Sequence, residues 1–597
     1  MKNYLKYTPV FLLFIFVSTL LIHTNSSFDQ DLGRHLKLGE IILSAKSVPH
    51  TNLFSYTYSN FPFVNHHWLS EVIFFLFYKN FGVLSISYLK MLCILTAVGL
   101  VFIANKKISS LKIATAASFF VVPLLMSRSD ERPEMFGFLF FSSLLYLYFS
   151  QREKVKINRK TYLIPLIQLL WVNMHITFVF GLLLLGIFVL DQLLLNENIR
   201  TAKWIQIFGA SLVLSLFNPH GLQGFLYPLT VFHNYGYSIQ ENQNLFFLHS
   251  LTSNIYITMF WTQSIFVALL GAASLVFDIS KKQLKNGFVY YVLFVTFAVG
   301  SIVAIRNFPF FVFTGIIALS YFLSRVRLAL LKSQPLYKKF SFLLPVILSV
   351  SIILAIGTIT SNLFYNTFDE PKKFEINAVE SYKGGVDFFI KHQLRGPILN
   401  NFDIGGYLDY RLYPQTQVFV DNRPEAYPNN FFDEYKESFA DLSKLKRLLK
   451  KYHIQTIIVS HTDGTPWGID FIKNTKMLSD YHYVYLDNAT LIMTRDNLRS
   501  ISLSETFTEL LSKTENYKDL LSLGNVAALW GDQEVADAAQ KKAYSANPSS
   551  CGIKLQTGVR DLSSQYDFVR SRGITLLKTT WFCPYASTIR DQINTLE

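Results

Sequence analysis

Carboxylates, imidazoles and guanidinium groups recur at the ends of long apolar runs in this sequence, and their types define the chemistry open to them. Asp29, Asp31, Arg34 and His35 follow the first run, and His66, His67 and Glu71 come next. Arg128, Asp130, Glu131, Arg132 and Glu134 form a third group, followed by Asn173 with His175, Asn218 with His220, Glu241, and Arg306 with Asn307. A carboxylate such as Asp29 or Asp31 can take a proton from a hydroxyl nucleophile near neutral pH. Arg128, Arg132 and Arg306 keep their charge and bind phosphate oxygens in pairs, and His175 joins them as a fourth candidate for holding a phosphate. Asp31, His67 and Glu71, with His66 beside them, mix carboxylate and imidazole donors that suit a divalent ion. His35, His66, His67, Glu71, Asn173, Asn218, Glu241 and Asn307 are candidates to line a substrate site or to support it. Plainer uses exist: Asp29 and Asp31 can cap a helix starting at Leu32, Arg132 and Glu134 can pair locally, and Asn218-Pro219 and Phe308-Pro309 can simply interrupt helices.

The elements that must position these groups are membrane helices. Of 597 residues, 51% are apolar and only 16% charged, against about 25% charged in soluble domains. The deficit lies in residues 1–362; ordinary charge density returns after Asp369. A net charge of +14 would suggest nucleic acid in a soluble protein, but the basic residues sit in short loops between apolar runs and read as topogenic charge, with no nucleic-acid partner. Lys2 and Lys6 precede the run from Pro9 to Ile22, and no small-x-small cleavage site follows, so an uncleaved first span is expected.

Eleven candidate spans centre on 8–22, 83–104, 111–127, 134–150, 161–173, 176–193, 203–217, 256–277, 286–304, 308–324 and 341–361, the fifth and seventh being short for a hydrocarbon core. With the N-terminus in the cytoplasm, the inner loops hold Lys106, Lys107 and Lys112, then Arg152 to Lys160, Arg200 and Lys203, Lys281 to Lys285, and Arg325 to Lys339. The outer loop 218–255 has no Lys or Arg. This alternation predicts a multi-pass plasma (inner) membrane protein whose residues after Leu363 are extracytoplasmic. The polar groups above then all fall on the outer face, where ionisable residues near a bilayer usually mark function or a paired contact. The first external loop, about 23–82, is predicted to carry two surface helices, one from Asp31 to Ala45 and one beginning near His67.

That loop carries a resemblance. Asp29-Gln30-Asp31-Leu32-Gly33-Arg34-His35-Leu36, Gly39-Glu40-Ile41, Val48-Pro49, Phe54-Ser55-Tyr56-Thr57 and His67-Trp68-Leu69-Ser70-Glu71-Val72 resemble the first external loop of bacterial GT-C-type glycosyltransferases, in the superfamily of dolichyl-phosphate-mannose and aminoarabinose transferases. Arg132-Pro133-Glu134, Trp171-Val172-Asn173-Met174-His175, Asn218-Pro219-His220-Gly221, Glu241-Asn242-Gln243 and Arg306-Asn307-Phe308-Pro309-Phe310 follow in register. Gly33-Arg34 stands where two aromatics are usual, and Asn242 replaces a usual Trp. The resemblance implies a polyprenyl-phosphate-linked sugar donor used at the outer face, an external-loop Asp as general base or acceptor-positioning group, and membrane lipid plus a glycan, lipid or protein acceptor as partners. A divalent metal such as Mg or Mn is a candidate cofactor, left open by the sequence.

After the membrane part, 363–500 alternates helix and strand signals. Helices are expected at Gly385 to His392 and Leu442 to Tyr452, and strands at Pro397 to Asn400, Gln417 to Val420 and Thr456 to Val459. A closing hairpin is expected around Asp487-Asn488. Gly405-Gly406 reads as a turn rather than a phosphate cradle, and Asp421 with Arg423 either contact an acceptor glycan or form an internal ion pair, the pair being favoured. Asn401-Phe402-Asp403-Ile404-Gly405-Gly406-Tyr407-Leu408 and Val420 to Pro424 resemble the tail of the same transferase group. Residues 501–597 read as a weakly tetratricopeptide-like helical tail, in which Cys551 and Cys583 can pair if exported. The expected fold is therefore mainly α: a GT-C-type polytopic membrane domain (1–362), a small exported α/β domain (363–500) and a helical tail (501–597). The expected function is glycosyl transfer. The alternatives are a polymerase or ligase for lipid-linked glycans, a transporter, or a non-catalytic cell-envelope scaffold.

Overall fold

A computed structural model describes residues 2–29, 31–152, 158–231, 236–237, 239–251, 254–331, 343–562, 567–578, 580 and 582–584. A helix lies at each of the eleven expected positions, from Lys2–Leu21 to Leu343–Thr360. Among the described residues six are long and apolar enough to cross a membrane: Leu84–Ile108, Leu111–Arg128, Ile255–Ser280, Leu284–Val303, Ile305–Leu328 and Leu343–Thr360. Tyr7–Leu21, Glu134–Phe149 and Phe178–Leu194 are apolar but shorter, and the fifth, Ile164–Met174, has 11 residues. The protein is thus a membrane protein by its helices. Their inner faces form one core running from Leu13 to Tyr365. Phe11, Leu92, Leu166, Leu269 and Leu354 stay exposed, as side chains bathed by lipid should.

Both surface helices form as the apolar spacing predicts, at Leu32–Ala45 and Trp68–Phe81. Asp31 occupies the position before the first helix, yet its side chain makes no capping bond. Its carboxylate is engaged elsewhere, as described below.

The C-terminal part holds a four-stranded sheet of β1 (Ile398–Leu399), β2 (Thr456–Ser460), β3 (His482–Leu486) and β4 (Thr490–Thr494) in the order β1-β2-β4-β3. β1 runs parallel to β2; the other pairs are antiparallel. The expected strand at Gln417 to Val420 does not join this sheet. Instead Val418 bridges Ser55 of the first loop, with Val418 N–H donating to Phe54 O at 3.0 Å and Tyr56 N–H to Val418 O at 3.2 Å. The expected turn at Gly405-Gly406 is also corrected: both lie inside the helix Phe402–Leu412. A Cβ on Gly405 would come within 2.4 Å of Val420 O, so the glycine lets this helix press onto the 418–421 backbone.

Phe28, Leu32, Leu36, Phe54 and Phe74 of the first loop share a core with Val386, Ile398, Tyr407, Val418 and Ile492. The loop and the sheet region therefore fold against each other. Beyond them the helices Leu503–Lys513, Tyr517–Trp530, Gln533–Ala546, Cys551–Leu562 and Asp567–Lys578 form the tail, and Cys551 and Cys583 form a disulfide.

Candidate active site

Asp31, Arg34, His35, His66, His67, Arg128, Arg132, Glu134, His175, Glu241 and Arg306 line one cavity of about 530 Å³, within the ~300–1,000 Å³ range of small-molecule sites. These residues come from separate loops, all at the face assigned as outer. The Asp29 side chain lies outside the described residues. Glu71 stands behind His35. Asn173, Asn218 and Asn307 are absent from the lining and serve local structure: Asn173 accepts from Trp68 Nε1 at 2.9 Å, Asn218 donates to Ser215 and Gly221 carbonyls, and Asn307 donates to Gly300 O at 2.8 Å.

The cavity is dominated by guanidinium groups in a carboxylate web. Arg128 grips Glu134 through Nε and Nη2, both at 2.8 Å, and reaches Glu241 at 2.5 Å. Arg132 donates to both oxygens of Glu241 at 2.8 and 2.9 Å and lies 3.4 Å from Asp31. Arg132 and Glu134 do not pair locally as the simplest reading of their spacing suggests. Arg306 makes the loosest contact, 3.5 Å to Glu241, and its Nε is buried with no hydrogen-bond partner among the described residues. Asp31 accepts from Arg34 at 3.2 Å and from Asn422 Nδ2 at 2.8 Å. Burial works against its charge, but Arg132 and Arg34 outweigh burial and hold its pKa below the usual carboxylate range. Glu241 behaves alike: burial opposes its charge, and Arg128, Arg132 and Arg306 together drive its pKa down.

The strip 128–132 that presents these arginines is fixed from beneath. Lys90 and Glu131, both fully buried, pair at 2.7 Å; Ser27 Oγ donates to Glu131 at 2.9 Å, and Lys372 pairs with Asp130 at 3.1 Å. Breaking a pair this buried leaves an uncompensated charge and costs about 3–5 kcal/mol.

Histidines form the neighbouring wall. The His66 and His67 rings lie 3.9 Å apart, His67 and His175 5.1 Å, and His35 and His67 5.4 Å. Burial pushes His66 down to about 3 and lowers His67 and His175 well below the ordinary histidine range, so all three are neutral at pH 7. His35 Nδ1 meets Glu71 Oε1 at 2.9 Å, and Asn65 Nδ2 donates to Glu71 Oε2 at 2.7 Å. His35, His67 and Glu71 offer ligand atoms within 4.8 Å of one another, a group able to hold an ion. Asp31, the expected third ligand beside His67 and Glu71, is instead bound by guanidinium and amide groups.

Five further lining residues, Tyr382, Phe402, Asp403, Asn422 and Glu425, come from the C-terminal part and are not expected at the site from sequence. The segment 401–408 stood out in sequence for its glycines, whereas its cavity residues are Phe402 and Asp403. Only the fold brings them within reach of residue 31. Asp421 and Arg423 form the expected internal pair, fully buried at 2.6 Å.

Fold and site together define a class: a helical membrane protein with an arginine-rich cavity enclosed between helix ends and a sheet-bearing region. No family model matches the sequence, and no curated protein matches it. Solved structures do. An archaeal oligosaccharyltransferase, AglB from Archaeoglobus fulgidus, in complex with an inhibitory peptide and a dolichol-phosphate, superposes with TM-score 0.54 at 10% identity over 91% of this chain and 86% of that one. A second Archaeoglobus fulgidus oligosaccharyltransferase structure, tethered to an acceptor peptide, gives TM-score 0.51 at 10% identity over 83% of this chain and 75% of that one. Both structures share their overall architecture with this chain. At this identity the likeness concerns fold, and it does not extend to the bacterial, dolichyl-phosphate-mannose-transferase-like branch.

Proposed function

We propose that this chain is a glycosyltransferase that moves a sugar from a polyprenyl-phosphate-linked donor to an extracytoplasmic acceptor, with its N-terminus in the cytoplasm and its C-terminal parts outside. The observation that carries the reading is Arg306, with its unpartnered buried Nε and its slack 3.5 Å contact to Glu241, in a cavity that also holds Arg34, Arg128 and Arg132. A phosphate oxygen satisfies that donor. Guanidinium groups fixed beforehand stabilise the charge that develops on the leaving phosphate as the glycosidic bond breaks, at no cost of reorganisation. Ile176 and Ile239 in the lining offer apolar contact to the start of a polyprenyl chain, and neutral His66, His67 and His175 add hydrogen-bonding groups without extra charge. Asp31, tied to Arg34, Arg132 and Asn422, holds two of these cations in place. An ion held by His35, His67 and Glu71 would add positive charge beside the phosphate. Two imidazoles favour zinc-like or manganese ions over magnesium, which prefers oxygen ligands.

The test is direct. The purified protein, incubated with tritiated undecaprenyl-phosphate sugars and a membrane fraction as acceptor source, is expected to release undecaprenyl phosphate and label the acceptor. Failure across the panel, with intact protein, overturns single-sugar transfer. A second reading, transfer of a whole lipid-linked glycan as in a ligase or polymerase, is favoured by the fold neighbours being oligosaccharyltransferases. Donors carrying a single sugar and a longer glycan, compared side by side, separate the two.

A further inference from the structure

We infer that Asp403, contributed by the C-terminal part, is the proton acceptor for a hydroxyl nucleophile in this cavity, with Phe402 forming the wall against which the acceptor lies. This deepens the transferase reading and rests on it.

Two aspartates of the cavity differ in what occupies them. Asp31 accepts from Arg34 and Asn422 and is flanked by Arg132, so its lone pairs are spent on cations and an amide. Asp403 lines the same cavity and has no hydrogen-bond or ion-pair partner among the described residues. Its neighbour Asp463 is already served, accepting from Thr465 N–H at 3.0 Å, Thr465 Oγ1 at 2.7 Å and Asn401 Nδ2 at 3.3 Å.

The position of Asp403 is rigid. Phe402 N–H donates to Tyr435 Oη at 3.1 Å, and the Phe402 ring stacks on Tyr237 at 4.1 Å and 17°. Gly405, one turn on, locks the helix against Val420. The two walls also meet: Asn422 accepts from Arg34 Nε at 3.0 Å while donating to Asp31.

The electrostatics agree with the geometry. Burial first, then the Asp463 carboxylate, push Asp403 up to about 7. The other ionisable groups around it are Tyr435 of the C-terminal part and Tyr237 of the loop 218–255 and, around the cavity, Asp31, Glu134, Glu241, Glu425, the histidines and the arginines. A base is most effective when its pKa lies near the working pH, a condition Asp403 meets and Asp31, held low by its arginines, does not.

The step balances. As the acceptor oxygen attacks the anomeric carbon, its proton passes to an Asp403 oxygen. The new C–O bond forms while the bond from that carbon to the phosphate oxygen breaks, and the electron pair leaves on the phosphate held by the arginines. The proton then passes to water and the site resets.

The experiment uses full-length protein in lipid nanodiscs with two readouts: binding of undecaprenyl phosphate alone, and turnover of the tritiated undecaprenyl-phosphate sugar that the wild type consumes. Asp403→Asn is expected to lower kcat at least ~100-fold, the usual contribution of a general base, while binding undecaprenyl phosphate within ~3-fold of wild type. Wild-type kcat should rise with pH through about 7, and residual turnover in the variant should lose that limb. Asp403→Glu should recover part of the rate. Full turnover by Asp403→Asn overturns the assignment and leaves the transferase reading standing, as does loss of the pH limb in Glu425→Gln but not in Asp403→Asn. Weakened undecaprenyl phosphate binding in Asp403→Asn, matching the loss of turnover, also overturns it by showing a structural role. A wild type that consumes neither the single-sugar donors nor a donor carrying a longer glycan overturns both readings.

Discussion

Both ends of the helix bundle carry buried arginine–carboxylate clusters, and they are built for different purposes. At the end assigned as inner, Arg152 forks onto Asp191 at 2.7 and 3.0 Å, with the Tyr148 hydroxyl donating to the same carboxylate and the Tyr290 ring 5.3 Å from the guanidinium. Nearby, Arg325 pairs with Asp278 at 3.0 Å, and Tyr321 and Tyr291 donate to that carboxylate at 2.7 and 3.0 Å. Arg152 and Arg325 each have one carboxylate partner and an aromatic lid. At the outer end Arg128, Arg132 and Arg306 all reach Glu241, Arg128 also holds Glu134 and Arg132 lies 3.4 Å from Asp31, and together they face a cavity of about 530 Å³. A closed pair is a clasp, whereas a web of cations beside open space, with Arg306 only loosely held at 3.5 Å, has capacity for another anion. Residue type alone cannot distinguish them; the open volume beside the arginines does.

The comparison can be broken by experiments of decreasing effect. Arg152→Met leaves Asp191 buried and uncompensated, so stability should fall by about 3–5 kcal/mol, read as a lower unfolding temperature, while turnover per folded molecule is kept. Arg132→Ala should do the reverse, lowering transfer at least ~100-fold, about 2.7 kcal/mol of transition-state stabilisation, with Arg132→Lys recovering little because the fork is lost. If Arg152→Met abolished turnover in folded protein, or Arg132→Ala left it intact, the clasp-and-capacity distinction would fail. Acid should strain the outer end. His66 titrates near 3 when folded and near 6.5 when unfolded, so the unfolded chain binds more protons between those values. Stability is complete above about 6.5 and falls with pH below it, by about 2 kcal/mol at pH 5 from this residue alone. His66→Gln should flatten that part of the unfolding-temperature profile. Smallest of all, Asn307→Ala removes one hydrogen bond outside the cavity; about 1 kcal/mol of stability and a change in transfer below ~2-fold are expected.

Much of the membrane half was legible in the sequence because sidedness is a one-dimensional property. Basic loops alternate, so Asp31, Arg128, Arg132, His175, Glu241 and Arg306 could be placed on one face before any fold was known, and a single cavity gathers them. The pairings within it were not legible. Arg132 reaches Glu241, 109 residues away, rather than Glu134, because helix packing decides which loop ends meet. Likewise Gln417 to Val420 has strand-like residues, but its backbone partner is Ser55 of the first loop. Glycines at 405 and 406 look like a turn when read locally; the close approach of Val420 that explains Gly405 is a tertiary fact. Asp403 stands in a segment that resembles the transferase tail but is marked there by no role, Glu425 carries no local signature, and only their arrival at a cavity made elsewhere brings them to the site.

The seam between the first loop and the sheet region also has a cost in time. Ser55 Oγ donates to the carbonyl of Phe419, 364 residues later in the chain. At a synthesis rate of ~5–20 residues per second, the loop waits roughly 20–70 s after its own synthesis before that partner exists. Throughout that interval the apolar side chains of Phe28, Phe54 and Phe74 lack half of their shared core. A chain that ends before residue 418 leaves the first loop without its backbone partner at Val418 and without the later side chains of that core, out to Ile492.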